Sequence, residues 1–190
     1  MAASPLTIEP RLWTVNDLSV FPEGKLVELY DGVLFEMPSP NIQHQKISMR
    51  LSAFLFAWQM QHGGESFAAP IDLYVSPTRY YIPDLVYYSQ ERLERTPNWR
   101  TEQRLIAPPD LIIEIASPST ASNDRIKKVR DYAQFGVPNY WLISPDDRSV
   151  QALVLRDGLY AIAQVASDDE TFAPALFPGT FLELATLWEQ

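Results

Sequence analysis

Leu111-Ile112-Ile113-Glu114-Ile115-Ala116 is the stretch that decides the fold, because it is an almost unbroken apolar run with one acid inside it. A continuous apolar run of this length predicts a β-strand that is buried on both faces of a sheet. An ionised carboxylate in such a strand is unfavourable unless it is paired or binds a cation. Glu114 is therefore the first candidate functional residue.

The segments around this strand predict a mixed α/β (α+β) domain with a central sheet. Apolar residues at spacings of three and four predict a helix over residues 42–61, and a second helix is expected over 122–135. The predicted order is hairpin, helix, three strands, helix, strand, hairpin. The remaining elements are hairpins at 26–37 and 150–165, strands at 71–75, 80–88 and 139–143, and a C-terminal apolar extension at 176–188 that packs back on the sheet.

The composition predicts a single soluble, intracellular domain spanning residues 1–190. The chain has no cysteine, which excludes disulfides, a cysteine nucleophile and thiolate zinc sites, and which fits the cytoplasm. No apolar stretch approaches the ~20 residues that span a bilayer, and the first residues lack the pattern of a signal peptide. The net charge of −9 disfavours simple nucleic-acid binding, although carboxylates that hold a metal would contribute to it.

Two aspartates are candidate partners of Glu114. Asp84 lies in the apolar segment 82–86, and strands ~5 Å apart would let its side chain and that of Glu114 converge on one cation. Asp110 is a second candidate, because strand alternation puts it on the same face as Glu114, but it can simply mark the entry to the strand. Carboxylate oxygens with open water positions suit Mg²⁺ or Mn²⁺. The alternative for each acid is an ordinary ion pair at the end of a sheet.

Lys128, His44 and Glu28 each have two possible interpretations. Lys128 lies on the helix after the decisive strand, but Asp124 and Lys128 also have the i,i+4 spacing of a surface ion pair, which helix geometry alone favours. His44 could donate a hydrogen bond to a phosphate or transfer a proton, and the alternative is an exposed helix residue. Glu28 lies in the first hairpin, where the alternative is a strand residue that faces solvent.

The chain lacks several well-known catalytic patterns. No glycine-rich phosphate loop, G-x-S-x-G elbow or H-E-x-x-H pair occurs in it. The 5 tryptophans and 9 tyrosines fall mostly within predicted strands and helix stripes, so we expect them to form core and not to stack on bases.

In the helix over 122–135, the expected buried side consists of Ile126, Val129 and Ala133.

Three blocks of residues carry a resemblance to a known family. They are the run over 111–120, then Asp124-Arg125 with Lys128, and the segment 132–141 with Gly136-Val137-Pro138 and Tyr140-Trp141. Segment 28–32, His44 and Pro83-Asp84-Leu85 add to them, so that the match covers about residues 12–187. Together these residues resemble the Uma-type putative restriction endonuclease family of bacteria.

That family resembles the PD-(D/E)XK nuclease superfamily, whose core has the order αβββαβ. The predicted order of elements agrees with this restriction-endonuclease-like core. The resemblance implies that Asp84 and Glu114 hold Mg²⁺ or Mn²⁺, with a main-chain carbonyl near Ile115 as a further ligand. The metal would activate the attacking water and stabilise the pentavalent phosphate.

The chain departs from the superfamily pattern at one position. The superfamily has a lysine two residues after the second acid, and Ala116 stands there in this chain. The resemblance assigns the lysine to Lys128 on the following helix, where it would orient or activate the attacking water. Glu28 and His44 match further catalytic positions of the family whose role is uncertain.

Three functions are compatible with the sequence. The first is a metal-dependent DNA endonuclease, expected to be a homodimer because paired cuts need two sites, with a positive rim near Lys127, Lys128 and Arg130. The second is a catalytically inactive or repurposed nuclease fold that acts as a binding or regulatory module. It predicts that ion pairs neutralise the two site acids, and that Tyr80-Tyr81 and Tyr87-Tyr88 supply an exposed patch. The third is hydrolysis of another phosphodiester or nucleotide.

Overall fold

The computed structural model describes residues 11–22, 24–116 and 122–189, and it describes side chains in the last range from residue 127 onward. A 3₁₀ helix (Val15–Val20) precedes the first strand. The strands are β1 (Val27–Tyr30), β2 (Val33–Glu36), β3 (Glu65–Ala68), β4 (Leu73–Ser76), β5 (Arg79–Tyr81), β6 (Leu85–Tyr88), β7 (Leu111–Ile115), β8 (Asn139–Ser144), β9 (Ser149–Arg156), β10 (Leu159–Ser167), β11 (Thr171–Phe172) and β12 (Leu182–Glu183). The α-helices are α1 (Ile42–His62), α2 (Gln90–Arg95), α3 (Ser122–Phe135) and α4 (Leu184–Trp188).

The central sheet has six strands in the order β10-β9-β8-β7-β6-β3. Strands β7 and β8 pair in parallel, and their neighbours pair antiparallel. A parallel pair needs a crossover connection, and α3 lies in the connection between β7 and β8. The helices, the mixed sheet and their order confirm the predicted fold class.

A second, antiparallel sheet has the order β2-β1-β5-β4 and corrects two predictions. The strand predicted over residues 80–88 is two strands, β5 and β6, which belong to different sheets. The strand predicted over 71–75 is β4 and also lies in the second sheet. The first core strand is instead β3, which the sequence analysis missed. The order αβββαβ therefore holds as α1, β3, β6, β7, α3 and β8.

The break between β5 and β6 has a local cause. Pro83 has no backbone N–H and cannot donate to a sheet ladder, so it interrupts a segment that is otherwise apolar and β-prone. Short apolar runs also carry no information about which sheet a strand joins.

Both predicted hairpin turns are present. Asp31 and Gly32 have φ of 51° and 81°, and Asp157 and Gly158 have φ of 52° and 79°. Two consecutive residues with positive φ form the type of turn that matches the twist of antiparallel strands. Gly136 ends α3 with φ of 90°, as the sequence predicts.

The two faces of the central sheet are covered differently. One face packs against α1 and the C-terminal segment through a cluster that includes Leu51, Trp141, Phe177 and Leu187, which confirms that residues 176–188 pack back on the sheet. The other face packs against the second sheet and α3 through residues such as Tyr81 and Tyr132. The aromatic residues lie mainly in these clusters, as expected. In the described residues, no helix combines the length and apolar character needed to cross a membrane.

The buried face of α3 is more polar than predicted. Lys128, Asp131 and Tyr132 are buried, whereas Val129 and Ala133 are half-buried. The side chain of Ile126 lies outside the described residues. Helical periodicity identifies apolar stripes, and it missed this face because two of its three buried residues are charged.

Candidate active site

Asp84 and Glu114 lie opposite each other at one end of the central sheet. Strands β6 and β7 pair antiparallel with Leu85 opposite Ile113 and Val86 opposite Ile112. Continuing this register by one residue places Asp84 opposite Glu114. Glu114 contacts Lys128 and Tyr132 of α3, whereas Asp84, just before β6, contacts His44 of α1. The two acids are within the electrostatic range at which the charge of Asp84 raises the pKa of Glu114.

The carboxylate of Asp84 is held from two sides. Its Oδ2 accepts a hydrogen bond from the backbone N–H of Ile115 at 2.7 Å. Its Oδ1 lies 3.1 Å from Nε2 of His44, near the start of α1. Both side chains of this ion pair are mostly buried, so His44 is not the exposed helix residue of the alternative interpretation.

His44 is positioned by the first turn of α1. The side chain of Asn41 caps the helix by accepting a hydrogen bond from the backbone N–H of His44 at 2.8 Å. Burial lowers the pKa of His44, but the hydrogen bond and charge of Asp84, together with the charge of Glu114, raise it above its ordinary value of 6.5. Its Nδ1 is buried and has no hydrogen-bond partner among the described residues.

The ammonium group of Lys128 contacts two glutamates. Its Nζ donates to Oε1 of Glu28 at 2.8 Å and to Oε1 and Oε2 of Glu114 at 3.1 and 3.3 Å. The side chain of Lys128 is buried, so it is not the exposed partner of a surface ion pair. Asp124, the other member of that predicted pair, has its side chain outside the described residues.

Glu28 is fully buried and does not face solvent, which excludes the simpler interpretation. Its Oε1 also accepts a hydrogen bond from the backbone N–H of Ile82 at 2.8 Å, and its Oε2 accepts one from the hydroxyl of Tyr30 at 2.5 Å. The carboxylate therefore joins β1 to α3 and to the segment between β5 and β6. Alternation along β1 misled the sequence analysis, because all four residues of this strand are buried.

The electrostatics of the cluster centre on Glu114. Burial raises its pKa, Lys128 lowers it, and the carboxylates of Asp84 and Glu28 raise it again, to about 7. For Lys128, burial lowers the pKa, but Glu114 and Glu28 outweigh burial and raise it well above its ordinary value. Lys128 is therefore an ammonium ion held by two buried glutamates.

Asp110, the second candidate partner of Glu114, has a structural role instead. Its Oδ1 accepts two hydrogen bonds from the guanidinium group of Arg92, at 2.9 and 2.7 Å. Its Oδ2 accepts a third from the backbone N–H of Ser89 at 2.7 Å. Asp110 thus fixes the start of α2, at the opposite end of β7 from the acid cluster.

Three tyrosines and one aspartate around the cluster were missed by the sequence analysis. Tyr132 donates its hydroxyl to Oε1 of Glu114 at 2.7 Å, and Tyr30 donates to Glu28. Tyr81 donates to Asp131, which is buried on α3 and also accepts from Arg130 at 2.9 Å. Spacing offered a signal in two cases, since Lys128 and Tyr132 are one helical turn apart and Glu28 and Tyr30 share a strand face.

Comparison with known proteins identifies the family. Residues 14–185 match the Uma2 family, described as putative restriction endonucleases. The chain belongs to the Uma2 family. This agrees with the resemblance found in the sequence.

The fold of this Uma2 chain also resembles a solved structure. That structure is the crystal structure of a putative nuclease belonging to DUF820 from Anabaena variabilis, with a TM-score of 0.74 and 20% sequence identity. The similarity covers 92% of the Uma2 chain and 97% of the other chain. No curated protein matched the sequence.

The donor set of this Uma2 chain suits a hard divalent cation. In the described residues, no group of three or more histidine, aspartate or glutamate side chains is arranged so that it could hold a metal ion. Mg²⁺ commonly uses only one or two carboxylates and keeps several waters, which is compatible with Asp84 and Glu114 as a pair. Burial is the main cause of the raised pKa of Glu114, and the charges of Asp84 and Glu28 add to it.

The predicted positive rim is not present in the form expected. Lys128 is buried in the acid cluster. Arg130 pairs with Asp31 at 3.2 Å and with Asp131, so its charge is compensated. Lys127 packs its ammonium group 5.8 Å from the ring centre of Tyr30 and 5.6 Å from that of Phe35.

Proposed function

We propose that this Uma2 chain is a metal-dependent endonuclease that hydrolyses phosphodiester bonds in DNA. The observation that carries the proposal is the position of Lys128, which lies within 3.3 Å of Glu114, while the N–H of Ile115 holds the Asp84 carboxylate next to Glu114. Two acids and a lysine that converge at the end of buried strands are costly to desolvate. A functional site would explain why the chain keeps them there. Membership of a family described as putative restriction endonucleases supports the same function.

Asp84 and Glu114 would hold Mg²⁺ or Mn²⁺, with the main-chain carbonyl of Ile115 as a further ligand. When bound, such an ion activates water and stabilises charge that develops on the phosphate. The N–H of Ile115 and Nε2 of His44 keep the Asp84 carboxylate in place. Tyr132 does the same for Glu114.

Lys128 would orient the attacking water and stabilise negative charge. Because its pKa is raised well above the ordinary value by Glu114 and Glu28, against the effect of burial, it does not serve as a proton acceptor. Glu28 fixes its ammonium group and is itself fully enclosed. His44 would hold the Asp84 carboxylate through Nε2, since its Nδ1 is buried and has no partner among the described residues.

The proposed partners and location are those expected from the sequence. DNA is the proposed substrate, a second copy of the chain is the proposed partner, the cytoplasm is the proposed location, and residues 1–190 are proposed to form one domain. The net charge of −9 opposes long-range attraction to DNA, so binding would depend on local contacts between basic residues and phosphates, and low salt strengthens these contacts.

The test is cleavage of supercoiled plasmid at low salt with Mg²⁺ or Mn²⁺. We expect metal-dependent nicking by the unmodified chain and at least a hundredfold loss on Glu114→Ala or Glu114→Gln, because removing one essential charge from a site of this kind costs several kcal/mol of transition-state stabilisation. Glu102→Gln is the matched control, since Glu102 is exposed. Metal-dependent nicking that survives Glu114→Ala would contradict the proposed site.

A second candidate function is a nuclease fold that binds a partner without catalysis. Two observations favour it: His44 pairs with Asp84 and Lys128 pairs with Glu114, so each site acid already has a basic partner. The tyrosines expected to supply a docking patch do not, because Tyr80, Tyr81, Tyr87 and Tyr88 are all buried. Absence of cleavage by folded protein over a range of metals, with no metal-dependent rise in thermal stability, would favour this function.

A further inference from the structure

Helix α1 carries a second apolar stripe on the side that faces away from the core. Its buried stripe contains Ile47, Leu51 and Leu55. At 100° per residue, a different set of residues lies within about 40° of the opposite direction. In chain order this outer stripe is Ile42, Lys46, Met49, Ala53, Phe56 and Met60.

The outer stripe is large and exposed. Ile42, Met49, Phe56 and Met60 expose 77%, 68%, 57% and 70% of their surface. With roughly 200 Å² per large side chain, these four residues expose about 500 Å² of mostly apolar surface, at the upper end of what a monomer usually carries. Two such stripes in contact would bury about 1,000 Å², the lower bound of a specific interface, before flanking residues are counted.

The charged residues of α1 limit the kind of partner that can cover the outer stripe. The chain has 24 acidic residues, but none lies between Ile42 and His62. Within the stripe the single charge is Lys46. A polyanion would find one lysine among five apolar residues there, because Arg50 is turned away and donates to the carbonyls of Leu187 and Glu189.

The stripe is complementary to itself in the antiparallel direction. Its midpoint is residue 51, so a two-fold axis there places Met49 opposite Ala53 of a second copy and Lys46 opposite Phe56. A long side chain then meets a small one, and the ammonium group meets an aromatic ring. A parallel pair would instead oppose Lys46 to Lys46 and Ala53 to Ala53, which combines like charges with a gap. We propose that α1 forms an antiparallel, two-fold interface with α1 of a second copy of this chain.

The exposed apolar residues of edge strand β10 are less suited to this role. Edge strand β10 exposes Leu159, Ile162 and Val165. Its register with β9 shifts between Ile162 and Gln164, and an irregularity of this kind disrupts pairing with a further strand. Pairing through α1 leaves the opposite face of the helix, with His44, directed toward the acid cluster.

Oligomeric state tests the interface without any substrate, so its outcome is independent of the proposed nuclease activity. Sedimentation velocity should find a dimer of the full chain at tens of micromolar. Met49→Glu should weaken the dimer by roughly a hundredfold or more, because a two-fold axis buries two copies of the new charge. Gln61→Glu is the control, on the same helix but outside the stripe, and circular dichroism should show both variants folded. A monomer at all concentrations, or a dimer unaffected by Met49→Glu, would overturn the proposal.

Crosslinking tests the antiparallel arrangement, since the chain has no cysteine of its own. With a rise of 1.5 Å per residue, two copies of residue 53 lie about 6 Å apart along the helix axis, and two copies of residue 42 about 27 Å apart. A short thiol-to-thiol crosslinker should join Ala53→Cys dimers and leave Ile42→Cys unlinked. Equal or stronger crosslinking of Ile42→Cys would exclude the antiparallel pairing.

Discussion

Glu28 and Lys128 lie one hundred residues apart in the chain and form a buried ion pair, with 2.8 Å between Oε1 and Nζ. The pair joins β1 of the second sheet to α3, which packs on the central sheet. The same ammonium group reaches Glu114, so the position of the proposed catalytic lysine depends on a strand that carries no other candidate residue.

Replacing Glu28 should destabilise the fold. Glu28→Ala leaves the N–H of Ile82 and the hydroxyl of Tyr30 without their buried acceptor and leaves Lys128 with Glu114 alone, and we expect a loss of about 3 kcal/mol in the free energy of unfolding. Urea denaturation would measure it. Glu36→Ala on the neighbouring strand removes only a half-exposed pair with Lys25 and should cost less than about 0.5 kcal/mol. Equal costs for the two variants would contradict a stabilising role for the buried pair.

The stability of the metal-free protein should decrease with pH because of Glu114. Burial and the neighbouring carboxylates raise its pKa in the folded state to about 7, above the ordinary value of 4.5. The folded state therefore binds this proton more tightly than the unfolded state. The resulting stability is complete below pH 4.5 and is lost as pH rises to about 7, by up to roughly 3 kcal/mol.

Glu114→Gln should remove this pH dependence, because the amide does not ionise. We expect the variant to be more stable than the unmodified chain at pH 8 in the presence of a chelator, and to be inactive in plasmid cleavage. Thermal unfolding of both proteins at pH 5 and pH 8 would measure how the stability of each changes with pH. A parallel decline of the two proteins across this range would contradict the assigned pKa.

Divalent metal should stabilise the protein through Asp84 and Glu114. Mn²⁺ at a hundred times its dissociation constant adds about 2.7 kcal/mol to the free energy of unfolding of a protein that binds it in the folded state alone. Asp84→Asn should abolish the rise in melting temperature. Asp110→Asn should lower stability by breaking the contacts with Arg92, yet keep the metal response. Loss of the metal-induced rise in melting temperature in Asp110→Asn would contradict the assignment of the metal site to Asp84.

Tyr132 should act on the site beyond its contribution to stability. Tyr132→Phe removes the hydrogen bond to Glu114, at an expected cost of about 1 kcal/mol. Tyr88→Phe is a matched control, because its buried hydroxyl donates to the carbonyl of Ala107 at 2.6 Å, away from the acid cluster. We expect a similar stability cost for both variants, but reduced cleavage only for Tyr132→Phe. The hydrogen bond from Tyr132 lowers the pKa of Glu114, so its loss should also raise that pKa further.

The elements that sequence predicted well have strong local signals. The strand at 111–115, the helix at 122–135 and the turns at Asp31-Gly32 and Asp157-Gly158 follow from continuous apolar runs, helical caps and residues that accept positive φ. Glu114 and Asp84 were found for a related reason, since a carboxylate inside an apolar strand is conspicuous in sequence.

The features that sequence missed depend on contacts between distant segments. The assignment of β4 and β5 to a second sheet rests on pairing between β1 and β5, which no local pattern encodes. The burial of Glu28 and Lys128 depends on each having the other as a partner, and a pattern based on hydropathy assigns both to the surface. The second stripe of α1 was hidden because a helix that is apolar on two opposite faces shows little amphipathic character.

The crossing of the chain between the two sheets has a consequence for partly folded molecules. Three residues link Tyr81 of the second sheet to Leu85 of the central sheet. They place the N–H of Ile82 next to Glu28 and the side chain of Asp84 near Glu114. The cluster is therefore divided between the sheets, and neither sheet carries the complete set on its own. A nascent or partially opened chain in which the sheets have not yet docked would be inert, so that any hydrolysis is confined to the finished molecule.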